Sequence, residues 1–314
     1  MVRFGLCRPE CICSNEVPTD MSITDARPES ATASPEASTA ATPGSGTLLG
    51  SGDHKAIGLV YVALSLVFGA AALVAFLLGN LHLVQSGFLS DSAARTLINA
   101  SELAFVLLVA VPLFIGLATY ITPLQVGAAT IAFPRAAALA LWTWILSSGL
   151  FIIANCFDGG IGGGRDRAVD LGLLALVGLI LGLLLATICV VTTIITLRSP
   201  GMSLDRVPVF SWSMFVAGSV WLLTLPVVLA NILLIYVDHH YGMPSEFGVS
   251  SVQGLQIGWL ISQPQVYAFA IPVFGIAAEV ITTFSGRRQP NRGVMLVAIA
   301  AFGVLSIGAY AQPY

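Results

Sequence analysis

Seven uninterrupted apolar runs dominate this chain, each long enough to cross the hydrocarbon core of a bilayer as a helix. They are Ala56–Leu78, Leu103–Thr122, Ala137–Cys156, Leu171–Leu197, Val209–Val237, Leu255–Phe284 and Val294–Ala311. A lipid interior has no water for backbone amides, so such segments must satisfy their hydrogen bonds within themselves, as helices. With 56% hydrophobic and 9% charged residues, the composition excludes an ordinary soluble core. It predicts an all-α fold, a polytopic transmembrane helix bundle of about seven helices.

No Lys or Arg falls within these runs, so the loop charges can orient the chain. From a cytoplasmic N-terminus, the inside segments hold Arg3, Arg8, Arg27, Lys55, Arg135, Arg198, Arg206, Arg287, Arg288 and Arg292. The outside segments hold Arg95, Arg165 and Arg167. Ten against three predicts N-terminus in and C-terminus out, with the bilayer, in a bacterial plasma membrane, as the first partner. A net charge of −3 without a basic stripe gives no sign of nucleic acid.

Residues 1–50 are rich in Ser, Thr, Ala, Pro and Glu and are expected to be a disordered cytoplasmic tail ahead of a membrane domain at 51–314. The tail lacks the apolar core of an export signal, and Met21 is read as a candidate for the natural start, an expectation that an N-terminal peptide measurement would check. Cys7, Cys11 and Cys13 in the tail read as thiols, while Cys156 and Cys189, at or in spans, read as small packing residues. No metal cluster is predicted from them.

Four stretches carry more information than apolarity does. They are Asp53-His54-Lys55-Ala56-Ile57-Gly58-Leu59-Val60-Tyr61, Pro123-Leu124-Gln125-Val126-Gly127 continuing to Phe133-Pro134-Arg135, Arg198-Ser199-Pro200-Gly201-Met202, and Ile261-Ser262-Gln263-Pro264-Gln265-Val266-Tyr267. In sequence and in order they resemble subunit I of the haem-copper oxidases, the cytochrome c oxidase family. The resemblance runs over residues 53–314 and reaches the first seven helices of a family with about twelve. It implies an oxidase subunit I-like bundle of the aerobic respiratory chain, with haem and copper as the family's cofactors.

The departures from the family fall on its chemistry. The sixth helix of the family reads His-Pro-Glu-Val-Tyr and its histidine binds copper; here the histidine is Gln263, the glutamate is Gln265, and Tyr267 is retained. The two further copper histidines of the seventh helix fall on Gln312 and Pro313. Counting back from Pro112 and Pro123 puts Ser101 where a histidine holds the low-spin haem, with Glu102 after it where the family has a glycine. The aspartate at the mouth of a proton channel falls on Thr130, and the channel asparagines on Thr119, Ala137 and Ala138. Amides and proline suit copper badly, and a serine hydroxyl is a poor axial ligand for haem iron. No cofactor and no catalytic residue are therefore predicted. The expected role is a degenerate, accessory, structural or assembly subunit beside other respiratory oxidase subunits. The alternatives are one part of a split oxidase, or a small-ligand or proton pathway lined by Gln263, Gln265, Tyr267 and Gln312.

Several polar residues receive plainer readings. Glu102 is expected to snorkel at a rim, and Glu279 to snorkel or pair with Arg287 and Arg288, since a carboxylate at a span centre costs about 2.5–3.5 kcal/mol. Asp238-His239-His240-Tyr241 reads as a solvated outside loop, and the glycines between Asp158 and Arg165 as a flexible linker. Asp53 and His54 read as a hydrated helix start, and Pro226 as a bend in its span.

Overall fold

The computed structural model describes residues 52–84, 90–157, 159–160, 165–241, 251–287, 289 and 291–308, with side chains for all of these except 83, 91, 92 and 251–267. The predicted tail, most of the glycine-rich segment and residues 309–314 lie outside the described residues. The chain runs through α1 (His54–Val84), α2 (Asp91–Ala104), a π-helical segment (Phe105–Ala110), α3 (Val111–Val126), α4 (Pro134–Cys156) and α5 (Asp166–Thr196). A short 3-10 turn (Leu204–Arg206) leads to α6 (Val209–Tyr241), α7 (Ser251–Ser285) and α8 (Arg292–Ile307). No strand occurs among the described residues.

Six helices are long and apolar enough to cross a membrane, the second of them formed by α2, the π segment and α3 together over Ala93–Val126. The helix at the place of the seventh apolar run, α8, has 16 described residues. Successive spans pack as neighbours: α4 on α5, α5 on α6, α6 on α7, and α1 on α3. The α2–α3 span and α5 are the most buried and α1 the least, as an outer helix facing lipid would be.

Close approach of α1 and α3 depends on two glycines. A Cβ on Gly58 would lie 2.7 Å from the Gly116 carbonyl oxygen, and one on Gly116 would lie 2.7 Å from Tyr61 Cβ. Such backbone contact between small residues is how helices associate in lipid, where apolar burial supplies no drive. Beside this contact, the fully buried Tyr61 and Trp144 rings meet at 5.1 Å.

The π segment has a readable cause. Val111 N–H donates to Val106 O, five residues back, and in that register Leu107 O would need the N–H of residue 112. Residue 112 is proline and has none. The buried indole Nε1–H of Trp144 donates to Leu107 O instead, at 3.1 Å, so α4 supplies what the second span lacks.

Some local expectations are corrected. Asp238, His239, His240 and Tyr241 are the last turn of α6, not a loop. The helix outlasts its apolar run because Asp170 of α5 gives both histidines a partner. His54 is buried rather than hydrated, while Asp53 stays exposed and accepts from Lys55 N–H at 3.0 Å. Gly159 and Gly160 are packed, not merely linking: a Cβ on Gly159 would stand 2.3 Å from Ala168 O. Cys189 is a buried packing residue as expected, whereas Cys156 is exposed.

Candidate functional site

Ser101, the position matched to a haem ligand, is buried on the last turns of α2, just ahead of the π segment. Its hydroxyl donates to Ile98 O, one turn back, at 2.7 Å. Hydroxyls in helices commonly back-bond in this way when no other acceptor is offered. An axial haem position calls for an imidazole, thiolate, thioether or phenolate, and an alcohol turned onto its own backbone does not fit that group. Glu102 is exposed.

Thr130 lies in the turn between α3 and α4 and is exposed. That turn begins at Gly127, whose φ of 74° is a left-handed helix cap that glycine adopts without strain. It is pinned to α5, where Thr193 Oγ1 accepts from Ala132 N–H at 2.9 Å. It is also tied to the α5–α6 loop, where Ser199 N–H donates to Val126 O at 2.9 Å. The two turn motifs thus hold each other. Thr119 and Ala137 are both buried, and Ala138 is half-buried.

A polar hub joins α3, α6 and α7. Glu279 Oε2 accepts from Gln125 Nε2 at 2.7 Å, and Glu279 Oε1 accepts from Phe210 N–H at 2.9 Å. Ser211 Oγ donates to Gln125 Oε1 at 2.5 Å. Phe210 is in the first turn of α6, where N–H groups have no helical partner and the dipole favours an acid. Glu279 therefore caps α6 and forms no ion pair with Arg287, contrary to the arginine-pairing expectation; Arg288 lies outside the described residues. Arg292 donates to Val207 O next to the same helix start. In the neighbouring turn, a hydrogen bond from the Ser203 side chain holds the exposed Asp205 carboxyl below the usual carboxylate range, with Arg206 and Arg292 adding to the effect.

At the opposite end of α6, His239 Nδ1 and His240 Nδ1 each lie 2.8 Å from a different oxygen of Asp170. Tyr236 stacks on His240 with ring centroids 5.5 Å apart. One carboxylate thus engages two successive histidines. Among the described residues no group of three or more His, Cys, Asp or Glu side chains, this cluster included, is arranged so that it could hold a metal ion. Asp170, Gln125 and Ser211 escaped sequence reasoning as site residues. The signal was present only for Asp170, an acid one helical turn after Asp166 at a span start.

Gln263, Gln265 and Tyr267 lie on the backbone of α7, in the stretch whose side chains are outside the described set, and Gln312 and Pro313 lie outside the described residues. The structure brings Ser101 and Thr130 to different helix ends and joins neither to the Glu279 hub.

The family model described as Cytochrome C and Quinol oxidase polypeptide I matches residues 56–311. The chain is 31% identical to a probable cytochrome c oxidase subunit 1-alpha of Streptomyces coelicolor, over 83% of this chain and 48% of that protein. It is 30% identical to cytochrome c oxidase subunit 1 of Bacillus subtilis, over 81% of this chain and 43% of the relative. It is 31% identical to heme-copper oxidase subunit I+III of Aeropyrum pernix, over 81% of this chain and 33% of the relative. The chain spans about half the length, or less, of these relatives.

Proposed function

Because this chain belongs to the cytochrome c and quinol oxidase polypeptide I family, we propose that it is a cofactor-free, oxidase-derived integral membrane subunit that packs against other respiratory subunits or acts in their assembly. The observation that carries the reading is the donor set at the matched ligand positions. Ser101 offers an alcohol already spent on Ile98 O, and Gln263, Gln312 and Pro313 offer two amides and no third donor. None of these replaces imidazole toward iron or copper. The buried Thr119 and Ala137 beneath an exposed Thr130 support a second loss, of the proton route, because alanine holds neither a proton nor ordered water.

What the chain keeps is scaffold: the Gly58–Gly116 contact, the turn-to-turn hydrogen bond and the Glu279 hub. These contacts hold the helices of the bundle to one another. Purified full chain from native membranes is expected to give no haem band as its pyridine haemochrome and no copper by elemental analysis. It should co-purify with other respiratory subunits. Haem or copper at one equivalent per chain would sink the proposal and favour the split-oxidase reading instead.

A further inference from the structure

Where α7 turns toward α8, an open cavity of about 630 Å³ is lined by Glu279, Thr282, Thr283, Arg287, Gln289 and Arg292, among others. Its size suits a small polar headgroup, and its lining is chemically divided. Arg287, Arg292 and Gln289 offer N–H donors that match phosphate oxygens. Glu279 offers a carboxylate whose two oxygens accept one hydrogen bond each, from Gln125 and Phe210, and so retain lone pairs. The Thr282 and Thr283 hydroxyls donate to the carbonyls of residues 278 and 279, which leaves their oxygens free to accept.

Among the described residues, Glu279 forms no ion pair with either arginine, so no direct salt bridge ties up the two signs inside the cavity. A simple anion would meet the carboxylate, and a simple cation would meet two guanidiniums. A ligand carrying both a phosphate and an N–H-bearing ammonium satisfies both. The cavity lies at the end of two apolar helices, the depth at which lipid headgroups sit. We propose that it binds a phosphoethanolamine group, the phosphate on Arg287, Arg292 and Gln289 and the primary ammonium on Glu279 and the threonine oxygens. A choline ammonium has no N–H to donate and should be disfavoured.

The test uses the full chain in detergent, read by native mass spectrometry against phosphatidylethanolamine, phosphatidylcholine and phosphatidylglycerol with identical acyl chains. Ethanolamine lipid is expected to be retained about tenfold over each of the others, the effect of one charge-assisted hydrogen bond. Arg287→Gln removes a phosphate donor that all three lipids share and should lower the retention of each severalfold, and its exposed position predicts an unchanged melting temperature. If that variant melts early, Gln289→Leu takes its place. Equal retention of the glycerol lipid, equal retention of the choline lipid, or undiminished lipid retention in the variant would each overturn the proposal. Soluble O-phosphoethanolamine provides the remaining arm. Displacement of the lipid at comparable concentration assigns the site to the free compound, and failure to displace assigns it to the membrane lipid; both leave the headgroup chemistry standing.

Discussion

Leu107 takes its hydrogen bond from a tryptophan 37 residues further along the chain. The pairing follows from Pro112, which has no N–H to return to the π segment. Trp144→Phe keeps the ring but removes the donor, leaving a buried carbonyl unpaired. The variant should lose about 1–3 kcal/mol, read as a lower melting temperature of the detergent-solubilised protein. Pro112→Ala in the same background restores an N–H at the right register and should recover part of the loss. No recovery would mean that the π segment has another origin. At this scale the sequence announced the disturbance, since a proline inside an apolar run must break a ladder. It could not announce the remedy, because the partner lies on another helix. Glu279 shows the same limit. Its cost in lipid was legible, and nearby arginines were the local candidates, but a helix start 69 residues earlier in the chain caught one oxygen.

Among the elements, α1 and α3 depend on the space left by two missing side chains. Gly116→Leu would drive a side chain into Tyr61 Cβ and the Gly58 carbonyl, both within 3 Å of where its Cβ must stand. Overpacking of this kind costs about 1–3 kcal/mol, and more where both neighbours resist, so the variant should lower the yield of folded protein and its melting temperature. Gly149, with open space around it, should tolerate alanine with no change and serves as the control. Helix existence was legible from apolarity alone, since every predicted run overlaps an observed helix. Helix ends were less so. The first described residue of α2 lies 12 positions before its apolar run opens, and α6 continues through Asp238 to Tyr241. Hydropathy detects burial in lipid, not a helix that carries on into water because a carboxylate waits there.

For the molecule as a whole, the positive-inside count predicts an orientation for a bundle whose ends are chemically unlike. One end holds the turn motifs, Arg198, Arg206 and Arg292; the other holds the Asp170–His239–His240 cluster. In a chain whose five native cysteines are replaced by serine, Ser203→Cys, at an exposed loop position, should react with an impermeant maleimide only after cells are opened. His240→Cys should react in intact cells, and the reverse pattern would invert the topology. Family membership was legible because the turn motifs keep both their residues and their order, which hydropathy alone could not supply. The Glu279 hub was not, because its members are scattered over three helices.

That hub also sets a timetable. Gln125 leaves the ribosome 154 residues ahead of Glu279, so throughout the synthesis of three further spans its amide N–H must be served by water or by lipid phosphate. Only when α7 arrives can one carboxylate draw the tail of α3 and the head of α6 together. Closure of the bundle is therefore a late event in translation, and a ribosome stalled before residue 279 would hold helices inserted but not yet locked.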